Sequence, residues 1–296
     1  MTAPAAPDWV IAAVGPVGDA TPIRWGFTNE SWAVTAADGR RLVVTRLADP
    51  GSATAILERG PAVAAQLAAA GIASPVPIAE LSDRAGAVVT SDFLDGVSGM
   101  ELLGDATGSG LVGRILGSTW LALGRVDPSS LGLDGLWARP ADLAKAALGW
   151  LDVTAGALGN EAAERARGRI TRLPSLLGER GVGFVHGDLV PANVLVAGET
   201  LAALLDLETV RLGPRLLDAA WFRWIVRYHH PMLEPSAWAG FEASGDLPAN
   251  DGTVGALLGI LPVVRILEIV ADPGLAPAAR ARWLDHLRAA IEGLPA

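Results

Sequence analysis

The sequence predicts an α+β protein in which a small, antiparallel β-rich region precedes a larger, mainly helical one. Short β-branched runs divided by turn residues fill the first third of the chain. Apolar residues at helical spacing dominate the rest. A pair of apolar, strand-like runs over residues 184–196 and 204–208 interrupts those helices and carries Asp188, Asn193 and Asp206.

The elements follow in order. Residues 31–35 and 42–46 read as strands joined by a hairpin turn at Asp38-Gly39. Residues 53–70 read as a helix, although Gly60-Pro61 sits awkwardly inside it. Residues 75–78 are extended, 87–93 form another strand, and a linker follows at Asp95-Gly96. Beyond about residue 98, helices are expected over 111–125, 140–157, 161–177, 219–228, 253–270 and 277–294. In the last of these Trp283, Leu284, Leu287, Ala290 and Ile291 form one apolar stripe. The domain expectation is 1–94 and 95–296. Neither a repeat nor a low-complexity tail is evident.

Composition narrows the function classes. The chain has 296 residues, 51% of them hydrophobic and 19% charged, which is the balance of a globular protein. A net charge of −9 disfavours nucleic acid and anionic membranes as partners and suits a neutral or cationic small substrate. Without cysteine there is no disulfide scaffold, zinc-thiolate site or cysteine nucleophile. The N-terminus lacks a basic stretch leading into an apolar one, so no signal peptide is expected and a cytoplasmic protein is the default. The apolar stretch 255–270 is broken by Pro262 and Arg265 and reads as a buried helix.

The segment FVHGDLVPANVLV at 184–196, followed by LLDLE at 204–208, carries the chemistry. Singly, Asp188 could be a turn residue, Asn193 a cap and Asp206 a strand-end charge. Together they have the Asp-x-x-x-x-Asn spacing of a kinase catalytic loop, with a later aspartate where a metal-binding one stands. Phosphoryl transfer needs a hydroxyl held in line with the γ-phosphorus and cations to absorb phosphate charge. An aspartate serves the first need; an amide oxygen and a second carboxylate serve the second by holding Mg²⁺. His186-Gly187-Asp188 replaces His-Arg-Asp, and Asp206-Leu207-Glu208 replaces Asp-Phe-Gly. In this the chain resembles the aminoglycoside phosphotransferase and choline kinase superfamily, over roughly residues 22–225.

The resemblance implies a two-lobed, protein kinase-like fold with the nucleotide at the lobe junction. It makes 1–94 the nucleotide-binding lobe and 95–296 the catalytic and substrate-binding lobe. Asp188 becomes the residue that accepts or orients the substrate hydroxyl proton, and Asn193 and Asp206 the metal ligands. Residues 26–32 look like the phosphate-covering hairpin, with Thr28 and Asn29 near the phosphates; the plainer reading is an ordinary β-turn. Arg46 stands where a kinase places its phosphate-pairing lysine, and Lys145 is the only lysine in the chain. An Arg46–Glu58 pair would need an irregular start to the helix, since the expected acid falls near Gly60. Ser91, Asp92, Phe93 and Leu94 form the linker against which the purine of ATP or GTP would rest. His186 and Asp218 are expected to brace the catalytic loop.

The acceptor side is less defined. Trp221, Trp224, Tyr228, His229 and Glu234 cluster around one helix end, suiting either a ring-bearing ligand or core packing. Glu208 could border substrate and metal or be structural. Adjacent His229 and His230 do not face one point, which argues against a metal there. The resemblance implies a hydroxylated small-molecule acceptor, with a resistance-conferring antibiotic kinase as the leading reading and a monomer or homodimer as the assembly. A choline-, homoserine- or sugar-type kinase and a non-catalytic nucleotide-binding relative are the rivals.

Overall fold

The computed structural model describes residues 5–23, 29–47, 50–83, 86–178, 181–249 and 251–294. The chain begins α1 (Asp8–Val14), β1 (Val17–Ile23), β2 (Glu30–Ala36), β3 (Arg41–Arg46), α2 (Pro50–Ala69), β4 (Pro77–Asp83), β5 (Gly86–Asp92) and β6 (Val97–Ser98). It continues α3 (Ala106–Leu123), α4 (Pro140–Leu158), α5 (Asn160–Ile170), α6 (Leu173–Leu177), β7 (Val182–Val185), β8 (Val194–Ala197), β9 (Thr200–Leu204) and β10 (Arg211–Pro214). It closes with α7 (Leu216–His229), α8 (Glu234–Gly245), α9 (Gly252–Ala271) and α10 (Pro277–Glu292). The α+β class expected from the sequence is what is found.

Contacts divide the chain into two compact units, Met1–Leu102 with Pro191–Thr209, and Leu103–Val190 with Val210–Ala296. A boundary at 94/95 would assign 191–209 to the helices. Those residues group with the first unit because β8 pairs with β6 and Leu204 donates its backbone N–H to Ala73, 2.8 Å away.

The first unit is built on an antiparallel sheet of strand order β1-β2-β3-β5-β4. Trp32, Val34, Leu42, Val44 and Val88 form its core together with Val10 of α1, a helix the sequence reading missed. Their alternation along β2 and β3 is the strand period that the sequence displays. Helix α2 runs through Pro61 unbroken. Gly60 is buried against Pro77, where an added Cβ would lie 2.9 Å from the ring. The awkward dipeptide is thus the place where α2 meets β4.

In the second unit α3 packs chiefly on α8, a helix absent from the sequence reading. Glycines make the approach: a Cβ at Gly113 would lie 1.9 Å from the Ala237 carbonyl oxygen, and one at Gly240 2.2 Å from that of Gly110. The single helix expected over 161–177 is two, α5 and α6, with Pro174 opening the second. Helix α9 is long and apolar enough to cross a membrane, yet 67% of its apolar window is buried among neighbours that include α7, α4 and α10. Asp251 caps it, accepting from the N–H groups of Thr253 and Val254 at 3.0 and 2.8 Å.

Helices α7 and α10 meet through rings. Trp221 stacks on Trp224 and Trp283 with centroids 5.3 and 6.1 Å away, and Trp224 stacks on Tyr228 at 5.2 Å. His286 sets its edge against Trp224, Tyr228, Trp283 and His229. Burial, with some help from the neighbouring His229, pushes the His286 imidazole down to about 4.

Two outcomes follow from this packing. Gly113→Val forces side-chain atoms into the α8 backbone and is expected to cost about 3 kcal/mol in denaturant unfolding. His286 has a folded pKa below its ordinary 6.5, so its contribution is full above pH 6.5 and is lost as pH falls towards about 4. His286→Phe is therefore expected to flatten the decline of Tm over that interval.

Candidate active site

The second unit presents the Asp188 loop. Strand β7, with Phe184 and Val185 buried, delivers the chain to His186, which is 0% exposed. Gly187 follows at φ 81°, a left-handed conformation that suits a residue without a Cβ. The turn brings its amides to the first turn of α7. There the Asp218 carboxylate accepts from His186 N–H (2.8 Å) and Gly187 N–H (2.7 Å). Nδ1 of His186 accepts from the Asp188 N–H at 3.3 Å, which ties the ring to the loop it precedes. Burial pushes the Asp218 carboxyl up, while His186 and the two amides pull it part of the way back.

Asp188 itself is half-buried, and its Oδ1 accepts from the Trp221 indole Nε1–H at 2.6 Å. Trp221 is only 2% exposed. This corrects its place among ligand-facing aromatics, since a ring so buried, stacked on Trp224 and Trp283, offers little surface to a substrate. Trp224 and Tyr228 do reach an open cavity of about 440 Å³, lined also by Arg223, Arg227, Leu258 and Gly259. Glu234 ties Arg223 at 2.9 Å, and Arg223 lies over Trp238. His229 borders the ring cluster through Tyr228, with its pKa lowered by burial and then by His230.

The first unit presents the other two residues. Val194 pairs with Leu204 across β8 and β9, and Leu205 N–H donates to the Asn193 carbonyl at 2.8 Å. The register thus sets Asn193 and Asp206 at the same end of one hairpin. Asn193 is 9% exposed, Asp206 is exposed, and Asp206 adopts φ 57°, a conformation Asp tolerates better than most residues. One amide oxygen and one carboxylate at a strand end are hard donors of the kind Mg²⁺ accepts when phosphate oxygens and water complete its shell. Among the described residues no cluster of three His, Cys, Asp or Glu offers an alternative metal site.

Around this hairpin, Glu208 accepts from the Asn29 amide at 2.7 Å, joining two candidates the sequence left apart. Thr28 lies outside the described residues. Arg46 pairs with Glu30, its cross-strand neighbour in the β2–β3 register, and lies over the Trp9 ring. The acid beside Arg46 is therefore Glu30, while Glu58 is exposed on α2. Sequence reasoning missed Glu30, although period-2 pairing across the Asp38-Gly39 hairpin could have found it. Ser91 and Asp92 belong to β5, and Phe93 donates its N–H to Arg41 at 3.0 Å. The Phe93 amide is thus engaged in strand pairing, and Leu94 is the first residue beyond that pairing.

Comparison with known proteins bears on the fold and the family. An aminoglycoside phosphotransferase, APH(4)-Ia, solved with ADP and hygromycin B, is 16% identical, with 97% of this chain and 98% of that one covered at a TM-score of 0.69. The macrolide 2'-phosphotransferase MphH from Brachybacterium faecium is 19% identical over 94% and 93% of the two chains, at 0.58. An aminoglycoside phosphotransferase solved with GDP and kanamycin is 14% identical over 96% and 94%, at 0.66. No curated protein sequence matches the chain. The profile of the phosphotransferase enzyme family (APH) matches residues 19–248, well over half the sequence, and the chain belongs to that family.

Proposed function

We propose that the protein transfers the γ-phosphoryl group of ATP or GTP to a hydroxyl of a small molecule, with an antibiotic as the leading acceptor class. The observation that carries this reading is the β8–β9 register, which sets Asn193, five residues beyond the braced Asp188, at the same hairpin end as Asp206. Relatives of the same fold hold ADP with hygromycin B, or GDP with kanamycin.

In this reading Asp188 accepts a hydrogen bond from the acceptor hydroxyl and takes its proton as the bond to phosphorus forms. Asn193 and Asp206 hold Mg²⁺, which when bound neutralises charge on the transferring phosphate. His186 and Asp218 keep the loop in place. Residues 1–94 serve the nucleotide: Arg46 and the segment with Thr28 and Asn29 address phosphates, and the backbone from Leu94 onward faces the base. Trp224, Tyr228, His229, Glu208 and Glu234 border the acceptor. The cavity beside Trp224 and Tyr228 falls within the 300–1,000 Å³ range of ligand sites. Arg223 and Arg227 both line that cavity, so rings with few positive charges suit it better than a polycation.

A second reading, a nucleotide-binding relative without turnover, draws on the Arg46–Glu30 pair, which competes with phosphate for the guanidinium. Nucleotide consumption with ATP and GTP, over aminoglycosides, macrolides, choline and homoserine, separates the two. Binding without consumption on the whole panel would reject phosphotransfer.

Two substitutions check the roles. Asp188→Ala is expected to lower turnover about 10³-fold while the nucleotide Kd stays within about threefold, by equilibrium titration. Asp206→Ala is expected to weaken nucleotide binding at least about tenfold with Mg²⁺ and little in EDTA.

A further inference from the structure

Helix α7 grips the catalytic loop twice. Asp218 holds the backbone at residues 186 and 187, and Trp221, three residues on and so on the same helix face, holds the Asp188 side chain. We propose that Trp221 is a positioning residue, whose indole N–H aims the Asp188 carboxylate at the acceptor hydroxyl. This rests on the phosphotransfer reading of Asp188.

Three properties make the indole suited to the task. It is a donor only, so it can hold a carboxylate but cannot take the proton that the carboxylate must accept. Its 2.6 Å separation from Oδ1 makes the contact a direct hydrogen bond with no water between. And the ring cannot follow a wandering partner: it is 2% exposed and enclosed by Trp224 at 5.3 Å and Trp283 at 6.1 Å, with planes inclined by 23° and 22°. A small error in aim is costly, since misplacement by about 1 Å can cost about 10²-fold in rate.

A buried tryptophan beside a loop could equally be packing alone, and Trp221→Phe separates the two. It keeps an aromatic ring and deletes the N–H. With ATP or GTP and hygromycin B, kanamycin or choline as acceptor, kcat is expected to fall between about 10- and 100-fold. KM for nucleotide and acceptor should hold within about twofold. In an Asp188→Ala background the same change should produce no further loss, because the group being aimed is gone. A wild-type kcat in Trp221→Phe, or an equal loss in both backgrounds, overturns the proposal.

A spectroscopic arm works without turnover. The Trp221 indole proton, assigned as the resonance missing in Trp221→Phe, should lie downfield and move upfield in Asp188→Ala. An unmoved resonance also overturns the proposal. If the wild type turns over none of the acceptors, the phosphotransfer reading is what has failed, and the resonance still decides whether the indole holds Asp188. Should Trp221→Phe fail to fold, the Asp188→Ala spectrum serves, with assignment by through-space contacts to Trp224 and Trp283.

Discussion

A buried carboxylate gripping two consecutive amides is the contact on which the candidate site depends. Asp218 is 1% exposed, and carrying a charge there is expensive; burial raises its pKa for that reason. What offsets the cost is the turn at Gly187, which aims both N–H groups at the two oxygens. Either half without the other would leave buried polar groups unsatisfied. Loop and helix are therefore held in one arrangement, and the direction in which Asp188 leaves the loop is set by that arrangement.

The grip is only as firm as α7, and α7 is held by the interior of the second unit. It packs against α9, which is buried along most of its length. Near the end of α9, Glu268 accepts from Arg265 (2.5 Å), Arg211 (2.8 Å) and the Trp137 indole (3.0 Å). Burial alone would raise the Glu268 pKa; the two arginines, with the Trp137 indole, outweigh it and hold the carboxyl below its usual range. Arg211 opens β10, the strand that pairs with β7 and leads directly into α7. The same network thus anchors the strand before α7, while β7 delivers the loop. The glycine seam between α3 and α8 is a further fixed contact, close enough that even a methyl group would collide with backbone.

Legibility in the sequence divides along the range of the interaction. Spacing alone could bring Asn193 and Asp206 forward, because their relation is local: two strands joined by a short turn, in a register that alternating apolar residues specify. The β-hairpin around Asp38-Gly39 and the buried α9 were legible for the same reason. Helix α8 was not, since Gly240 and Gly245 weaken a helix on propensity and make sense only once α3 lies against them. The partner of Arg46 was sought on a helix at kinase-like spacing, whereas the chain supplies it directly across the strand pair. Trp221 is the sharpest case. Among aromatics at helical spacing, nothing local tells a ring that faces ligand from one that is buried. The difference is made at a distance: Trp221 is 2% exposed and stacks on Trp283, sixty-two residues further on, as well as on Trp224. So buried, the indole has one polar atom to satisfy, and Asp188 is where it is satisfied.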